Sequence, residues 1–164
     1  MKAVIPCLPI LAMLLSVPAR AQTATVTLVL PLSPACVSSP FGARNAAEPR
    51  ASNFHTGIDL PAPAGAWVHA AAAGTVVAIR RRGSAGLEVE LRHTANLTTR
   101  YDHLGTVAPG LMGGKRVVAQ GDSLGRVGRT GITYGTHLHF ELLINGVRVD
   151  PAAALPVRPC DLKE

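Results

Sequence analysis

Residues 135–140 read G-T-H-L-H-F, and this stretch predicts how the chain folds. Successive side chains of a β-strand point to opposite faces, so His137 and His139 share one face and Leu138 lies on the other. The alternation of polar and apolar residues continues to Ile144. The pattern therefore predicts a strand with one face in an apolar core and two imidazoles on the opposite face.

A second string, H-T-G-I-D, begins at His55 and ends at Asp59. These two residues flank Gly57, at a spacing that a tight turn leading into a strand can direct towards one point. Two imidazoles and one carboxylate, with a fourth position left open, form the ligand set of a catalytic rather than a structural zinc site. The spacing alone leaves open whether His137 or His139 would bind the metal.

A third string, Y-D-H-L, begins at Tyr101 on another predicted strand. On that strand Thr99, Tyr101 and His103 are expected to share a face. His103 and one member of the histidine pair then remain beyond the three ligands. Zinc polarises a carbonyl and lowers the pKa of water towards ~7, and a nearby imidazole can exchange a proton or stabilise the charged intermediate. His69 and His93 are expected to be surface or packed histidines.

The remaining pattern indicates an all-β, or β-dominated, single domain of mostly antiparallel sheet with a groove for the zinc site. Residues 87–91 alternate as a half-buried strand does, and Asn145-Gly146 is typical of a hairpin turn. The alanine run at residues 70–73 is too short for a typical helix. The predicted strands cover residues 25–30, 67–69, 74–79, 87–91, 98–104, 116–118, 123–127, 137–144 and 147–149.

The first 21 residues have the features of a secretory signal peptide. A positive start at Lys2 precedes an apolar run that is strongest over residues 10–17, and an A-x-A site ends at Ala21. A membrane anchor is disfavoured because the apolar run is shorter than the ~20 residues that a span needs. A lipoprotein is disfavoured because Cys7 comes too early. We therefore expect export to the periplasm, cell envelope or exterior, without a stable membrane span.

The cysteines of the mature chain, Cys36 and Cys160, are expected to form a disulfide that ties its ends together. A metal-ligand or nucleophile role is disfavoured because neither belongs to a C-x-x-C pair or lies close in sequence to a histidine. Free or intermolecular thiols are the alternative.

The formal net charge is +6 and falls to +4 if Lys2 and Arg20 leave with the signal peptide. A basic exported protein suits anionic polymers of the cell envelope. The run Arg80-Arg81-Arg82 by itself is better interpreted as a solvated loop or strand end. The sequence disfavours nucleic acid as a partner because the basic residues are scattered, aromatic residues make up 4% of the chain and no nucleic-acid motif is present.

Taken together, H-T-G-I-D, Y-D-H-L and G-T-H-L-H-F-E resemble the signature of the LytM/lysostaphin-type zinc metalloendopeptidases, which cut peptide bonds in peptidoglycan. The resemblance covers roughly residues 40–155. The chain departs from the family pattern at Trp67, where the family often has a smaller residue, and at Asp102, where alanine is frequent. Because neighbouring strand residues face opposite sides, Asp102 is expected to point away from His103. The other similar segments are residues 41–44, 65–70, 73–76, 121–125, 128–131 and 150–151.

The resemblance implies a role for each residue of the three strings. The zinc ligands would be His55, Asp59 and His139, and the catalytic histidines would be His103 and His137. Separately, because Tyr134 lies near the histidine pair in the sequence, it is expected either to contact substrate or to pack within its turn. With the signal peptide and the disulfide expected above, the domain layout is a signal peptide at 1–21, an N-terminal segment at 22–39, the metallopeptidase domain at 40–155 and a tail at 156–164 tied back by the disulfide.

The resulting expectation is a secreted, monomeric zinc endopeptidase that acts on peptidoglycan cross-links or stem peptides. The alternatives are a non-catalytic regulator of wall hydrolases, of the kind that has lost ligands, and a zinc-containing module that binds wall peptides without cutting them. The presence of all five residues favours the enzyme. The sequence leaves open whether glycine bridges, D-Ala cross-links or stem-peptide bonds are cut.

Overall fold

The computed structural model describes residues 25–44 and 52–161. Within these ranges strands dominate, which confirms the predicted all-β class. The short helical segments are α1 (Pro109–Met112) and two 3-10 helices, Gly83–Ala85 and Pro151–Ala153. The strands are β1 (Gly42–Ala43), β2 (Phe54–His55), β3 (Ile58–Pro61), β4 (Trp67–His69), β5 (Gly74–Arg82), β6 (Gly86–Arg92), β7 (Leu97–Val107), β8 (Val117–Val118), β9 (Ser123–Val127), β10 (His137–Ile144) and β11 (Val147–Val149).

One antiparallel sheet forms the framework of the described chain. Its main path runs β11-β10-β7-β6-β5-β8, while β3 adds to β10 and the pair β9 and β4 adds to β7. A separate two-stranded sheet joins β1 to β2. The predicted hairpin turn is confirmed, since Asn145 and Gly146 have φ of 53° and 77° between paired Ile144 and Val147.

The apolar face of the sheet builds the core. Phe140 and Tyr101 lie opposite each other on β10 and β7, with ring centroids 5.3 Å apart, and both are fully buried. Leu28 and Leu32 of the N-terminal segment pack into the same cluster. That burial removes apolar surface from water and stabilises the sheet with this face inward. Polar and charged side chains then occupy the opposite face.

The opposite face of the sheet carries charged side chains that form ion pairs with one another. The strand predicted at residues 87–91 forms, but the expectation of a half-buried strand is wrong, because Glu88 is 0% exposed. Arg80 and Arg82 of β5 each reach Glu88 at 2.6 Å and cover it. All three arginines are exposed, as expected for a strand end, but Arg80 and Arg82 also form an ion-pair layer over Glu88.

The prediction of a strand over residues 25–30 is wrong. The segment makes isolated backbone bonds instead of a ladder, for example from Val29 N to Ala71 O at 2.8 Å. Pro31, which follows, has no N–H to donate, and its carbonyl accepts a bond from His69 N. This segment therefore packs against the core through side chains such as Leu28, without pairing as a strand of the sheet.

A disulfide joins Cys36 to Cys160 and brings the two ends of the described chain together. Val37 beside it pairs with Pro159, and Cys160 N donates to Val37 O at 2.9 Å. The predicted signal peptide at 1–21 and the last residues of the predicted tail lie outside the described residues. Within the described ranges, no helix has the length and apolar character to cross a membrane.

Candidate metal centre and active site

The three strings identified in the sequence meet on the charged face of the sheet. β3 and β7 flank β10 on opposite sides, with His139 opposite Asp59 on β3 and opposite Asp102 on β7. His55 enters from the end of β2. Antiparallel pairing of three strands therefore brings together residues that are far apart in sequence.

His55, Asp59 and His139 form the centre of this site. Asp59 Oδ1 lies 3.1 Å from His55 Nε2 and 2.9 Å from His139 Nδ1, and the two nitrogens are 3.0 Å apart. Two ligands at ~2.0–2.1 Å from one tetrahedral zinc would be about 3.3 Å apart. The donor types and their spacing therefore fit a zinc ion with three protein ligands.

The electrostatics of the centre favour an ionised carboxylate. Burial by itself would raise the pKa of Asp59, but hydrogen bonds from His139 and His55 outweigh it and hold that pKa well below its usual range. Arg44 Nη2 donates to the second carboxylate oxygen, Oδ2, at 3.2 Å. Asp59 is therefore available as an anionic ligand across the neutral pH range.

Gly57 allows the strands that carry the ligands to approach closely. A Cβ at this position would lie 2.3 Å from the carbonyl oxygen of Phe140 and 3.0 Å from His139 Nε2. Real Cβ atoms essentially never show such contacts. A glycine between His55 and Asp59 is thus required by the backbone of β10.

Each of the two candidate ligand histidines has a contact at its second ring nitrogen. His55 Nδ1 donates to the carbonyl oxygen of Pro40 at 2.7 Å, which directs Nε2 towards the centre. His139 Nε2 lies 3.6 Å from Glu141 Oε1. Burial alone would lower the pKa of His139, but Asp59 and Glu141 raise it to about 9.

Glu141 is itself held by two arginines. Arg148 Nε donates to Oε1 at 2.9 Å, and Arg100 Nη1 donates to Oε2 at 3.2 Å. Burial opposes ionisation, yet the contacts with His139, Thr56 and Arg148 lower the pKa of Glu141 to about 2. An anionic carboxylate is therefore fixed behind His139.

The expectation that Thr99, Tyr101 and His103 share a face is wrong. Thr99 and Tyr101 lie in the core, but His103 adopts φ of 61° and faces the groove. Two residues of β7, Asp102 and His103, oppose the single Glu88 of β6, as in a β-bulge. The expectation that Asp102 points away from His103 is wrong for the same reason, since both line one groove.

His103 and His137 form a second pair of imidazoles beside the centre, with ring centroids 4.9 Å apart. His103 Nδ1 donates to the carbonyl oxygen of Thr130 at 2.9 Å, and burial lowers the pKa of His103 to about 4. His137 Nδ1 lies 3.2 Å from Thr133 Oγ1, and its Nε2 lies 3.4 Å from Asp59 Oδ1. Burial also lowers the pKa of His137. Both rings therefore favour the neutral form.

Asp102 is the unusual polar residue of the groove. It is 3% exposed, and its Oδ1 has no hydrogen-bond partner among the described residues. Burial raises the pKa of Asp102 to about 7. It also forms a second candidate metal-binding group with His139 and Glu141, although the first group alone combines Asp59 with both ligand-type histidines.

The groove above this centre encloses ≈ 1120 Å³, which exceeds the usual range for a small-molecule pocket. Tyr134 is 59% exposed and lies on its rim with Ile132 and Phe54. The two remaining histidines make other contacts: His69 Nδ1 donates to Gly121 O, and His93 Nδ1 donates to Ala73 O.

Comparison with known families identifies the family to which this fold belongs. The model of peptidase family M23 matches residues 53–151, which include both metal-type strings and the pair His103 and His137. The chain belongs to peptidase family M23. The predicted family is thereby confirmed, and most of the residues that line the groove lie within the matched range.

Two curated relatives indicate the kind of protein in which this M23 domain occurs. The chain is 40% identical over 121 residues to the DD-carboxypeptidase/endopeptidase Mpg of Neisseria meningitidis serogroup B, covering 73% of this chain and 27% of the relative. It is 35% identical over 104 residues to the peptidoglycan DD-endopeptidase ShyB of Vibrio cholerae, covering 63% and 24%. The chain thus spans about a quarter of the length of these relatives.

A solved structure shares the M23 fold. A zinc containing peptidase from Vibrio cholerae superimposes with a TM-score of 0.65 at 28% identity, covering 74% of this chain and 37% of the other. The likeness agrees with the strand-dominated architecture of the described residues.

Some residues of this M23 site were missed by sequence reasoning. Glu141 follows His137 and His139 at the same two-residue step, so the alternation could have placed it on the groove face. Pro40 and Thr130 act through backbone carbonyls, and no side-chain pattern signals them. Their contribution depends on which segments fold against the histidines.

Proposed function

We propose that this M23 protein is an exported zinc metalloendopeptidase that hydrolyses peptide bonds in peptidoglycan. The observation that carries the proposal is the convergence of three ligand-type atoms, 2.9–3.1 Å apart, with two further imidazoles in one groove. An open site with three protein ligands is typical of catalytic rather than structural zinc.

In this proposal His55, Asp59 and His139 hold the metal through Nε2, a carboxylate oxygen and Nδ1. When bound, zinc supplies a Lewis acid that polarises a peptide carbonyl and lowers the pKa of water towards ~7. The contacts from Pro40 and Glu141 to the second ring nitrogens support the two histidines in these orientations.

His103 and His137 would supply the proton transfers. Each has its Nδ1 engaged, by Thr130 O and Thr133 Oγ1 respectively, so each directs Nε2 into the groove, where that of His137 lies 3.4 Å from Asp59 Oδ1. A neutral imidazole with Nδ1–H engaged carries its lone pair on Nε2 and can accept a proton there. The same nitrogen, once protonated, can donate to the developing oxyanion or the leaving amine.

The names of the relatives support a DD bond of the cross-link as the substrate. The size of the groove suits a peptide branch, and the exposed side chain of Tyr134 on its rim would contact that branch. The full chain has a net charge of +6, and the +4 that remains once Lys2 and Arg20 leave with the signal peptide would favour association with anionic wall polymers rather than specify the bond. We assign no role to nucleic acid.

The proposed protein is exported as a monomer. The layout is a signal peptide at 1–21, an N-terminal segment at 22–39, the peptidase domain at 40–155 and a tail at 156–164. The Cys36–Cys160 disulfide supports an oxidising compartment, since such bonds persist in the periplasm or outside the cell.

The test is digestion of DD-cross-linked peptidoglycan by the purified, zinc-loaded protein, followed by mass spectrometry of the muropeptides. The expected result is a loss of cross-linked dimers and a matching rise of monomers, which a chelator abolishes and added zinc restores. If the muropeptides show cleavage at another bond, the protein is still a peptidase but its substrate differs from the one proposed.

Two variants separate catalysis from binding. His139→Ala and His103→Ala are expected to abolish the conversion, whereas His69→Gln removes an imidazole outside the groove and should leave it intact. If the zinc-loaded parent binds peptidoglycan but converts no dimers, and His103→Ala binds equally well, the chain is a binding module or regulator and the enzyme proposal fails.

A further inference from the structure

The bulge that turns His103 into the groove is closed by a side chain from another loop. Val89 pairs with Tyr101 and Leu87 pairs with Leu104, so the extra residue of β7 lies between these pairs. Thr130 Oγ1 lies beside the pair of Leu87 and Leu104 at one end of the bulge. It accepts a hydrogen bond from Leu87 N at 2.8 Å and donates one to Leu104 O at 2.8 Å. One hydroxyl thus links the two strands where a direct backbone bond would otherwise run.

The loop around Thr130 also holds His103 directly. The carbonyl oxygen of Thr130 accepts from His103 Nδ1 at 2.9 Å. Gly128 N donates to the carbonyl oxygen of His103 at 3.1 Å. Both the imidazole and the left-handed backbone of His103 are therefore bonded to one short segment.

The close approach of this segment depends on Gly86 at the start of β6. Gly86 adopts φ of 68°, and a Cβ there would lie 2.4 Å from both the carbonyl carbon and Oγ1 of Thr130. Ile132 N donates to Ser84 O at 2.9 Å just beyond. Backbone contacts on both sides therefore fix the position of Thr130 relative to β6 and β7.

We propose that Thr130 is the positioning residue for His103: its hydroxyl holds the bulge in β7 closed while its carbonyl fixes the imidazole with Nε2 towards the groove. The inference rests on the proposed function, in which His103 exchanges protons at Nε2. Since a carbonyl only accepts, its bond to Nδ1 selects the neutral tautomer with the lone pair on Nε2.

Removal of the hydroxyl tests this role with little change in shape. In Thr130→Val, Leu87 N and Leu104 O lose their shared partner, so the bulge relaxes and the carbonyl moves relative to His103. The expected result is a fall in kcat of about 10²-fold with KM and zinc content unchanged, because misplacement by about 1 Å costs that much. Thr130→Ser keeps the hydroxyl and is expected to restore kcat.

Thr99→Val is the matched control for lost stability. It removes a buried hydroxyl of β7, the strand that carries His103, and this hydroxyl bonds His93 Nε2 at 2.8 Å and Tyr101 Oη at 3.0 Å on the core side. A comparable fall in melting temperature with full kcat is expected. Equal loss of kcat in Thr99→Val and Thr130→Val would overturn the proposal, as would full kcat in Thr130→Val.

A readout independent of turnover separates this inference from the proposed function. In the ¹⁵N-histidine NMR spectrum of the zinc-loaded protein, the hydrogen-bonded Nδ1–H of His103 should be present in the parent and Thr130→Ser and lost in Thr130→Val. If the parent cleaves no peptidoglycan but shows this pattern, the function fails and the positioning role stands. An unchanged Nδ1–H in Thr130→Val refutes the positioning role in either case.

Discussion

The contact between His139 and Glu141 shows how a single carboxylate can tune the site. Glu141 lies 3.6 Å from His139 Nε2 and is fixed by Arg100 and Arg148. An anionic partner on the second nitrogen of a ligand histidine raises its basicity and fixes its tautomer. The charge of Glu141, rather than its size alone, is therefore expected to support metal binding.

Glu141→Gln is expected to weaken zinc affinity by about 10–100-fold. The substitution keeps the shape of the side chain and removes the charge beside His139. Competition with a zinc-binding dye measures the dissociation constant. The control is Glu90→Gln, which also loses ion pairs to Arg80 and Arg100 but lies elsewhere in the layer. Equal affinities in the two variants would contradict a specific role for Glu141.

At the residue scale, the sequence predicted which side chains would meet but not how each would turn. Period-two alternation correctly placed His137 and His139 on one face, because β10 is a regular strand. It failed for His103, because the left-handed backbone at this residue, within the bulge of β7, turns its side chain towards the groove. Such a bulge depends on partners from another loop and is invisible to local periodicity.

The packing of β3 against β10 is the element-scale requirement of the site. These strands pair from Pro61 with His137 to Ile58 with Phe140, and Gly57 lies where the approach is closest. The space allows no side chain at this position. The spacing of the ligands is thus set by contact between backbones rather than by the ligands alone.

Gly57→Ala is expected to destabilise the protein by about 1–3 kcal/mol, because the new methyl group would force β10 away from the turn. Zinc affinity should fall as well, since the methyl group would contact the ring of His139. Denaturant unfolding and zinc titration provide the two measurements. Gly110→Ala adds a methyl group whose nearest neighbour is Lys115 Cδ at 3.9 Å and should change neither. A Gly57→Ala protein with parental stability would contradict the packing argument.

Element prediction succeeded where alternation matched the local environment and failed where it did not. β10 and the hairpin to β11 follow directly from apolar spacing and Asn145-Gly146. Residues 25–30 have strand-like composition but cover the core without a ladder. Glu88 was expected to face solvent because it is polar, yet arginines from the neighbouring strand bury it. Pairing between strands, which periodicity does not encode, decided both cases.

At the scale of the whole molecule, the segment tied down by the disulfide supports the candidate metal centre. The Cys36–Cys160 bridge fixes the segment that continues to Ser39 and Pro40. Ser39 O accepts from Asp59 N at 3.0 Å, and Pro40 O orients His55. These residues precede the match to the M23 model at 53–151. The segment before the matched region therefore supplies contacts to two proposed ligands.

On β10, His139 is assigned to the metal and His137 to the proton transfers. The most direct measurement is zinc content at equilibrium with a buffered free-zinc concentration, in the parent, His137→Ala and His139→Ala. The parent and His137→Ala are expected to hold about one zinc ion per chain, and His139→Ala to lose it. Zinc retained by His139→Ala but lost from His137→Ala would contradict this assignment of the two histidines.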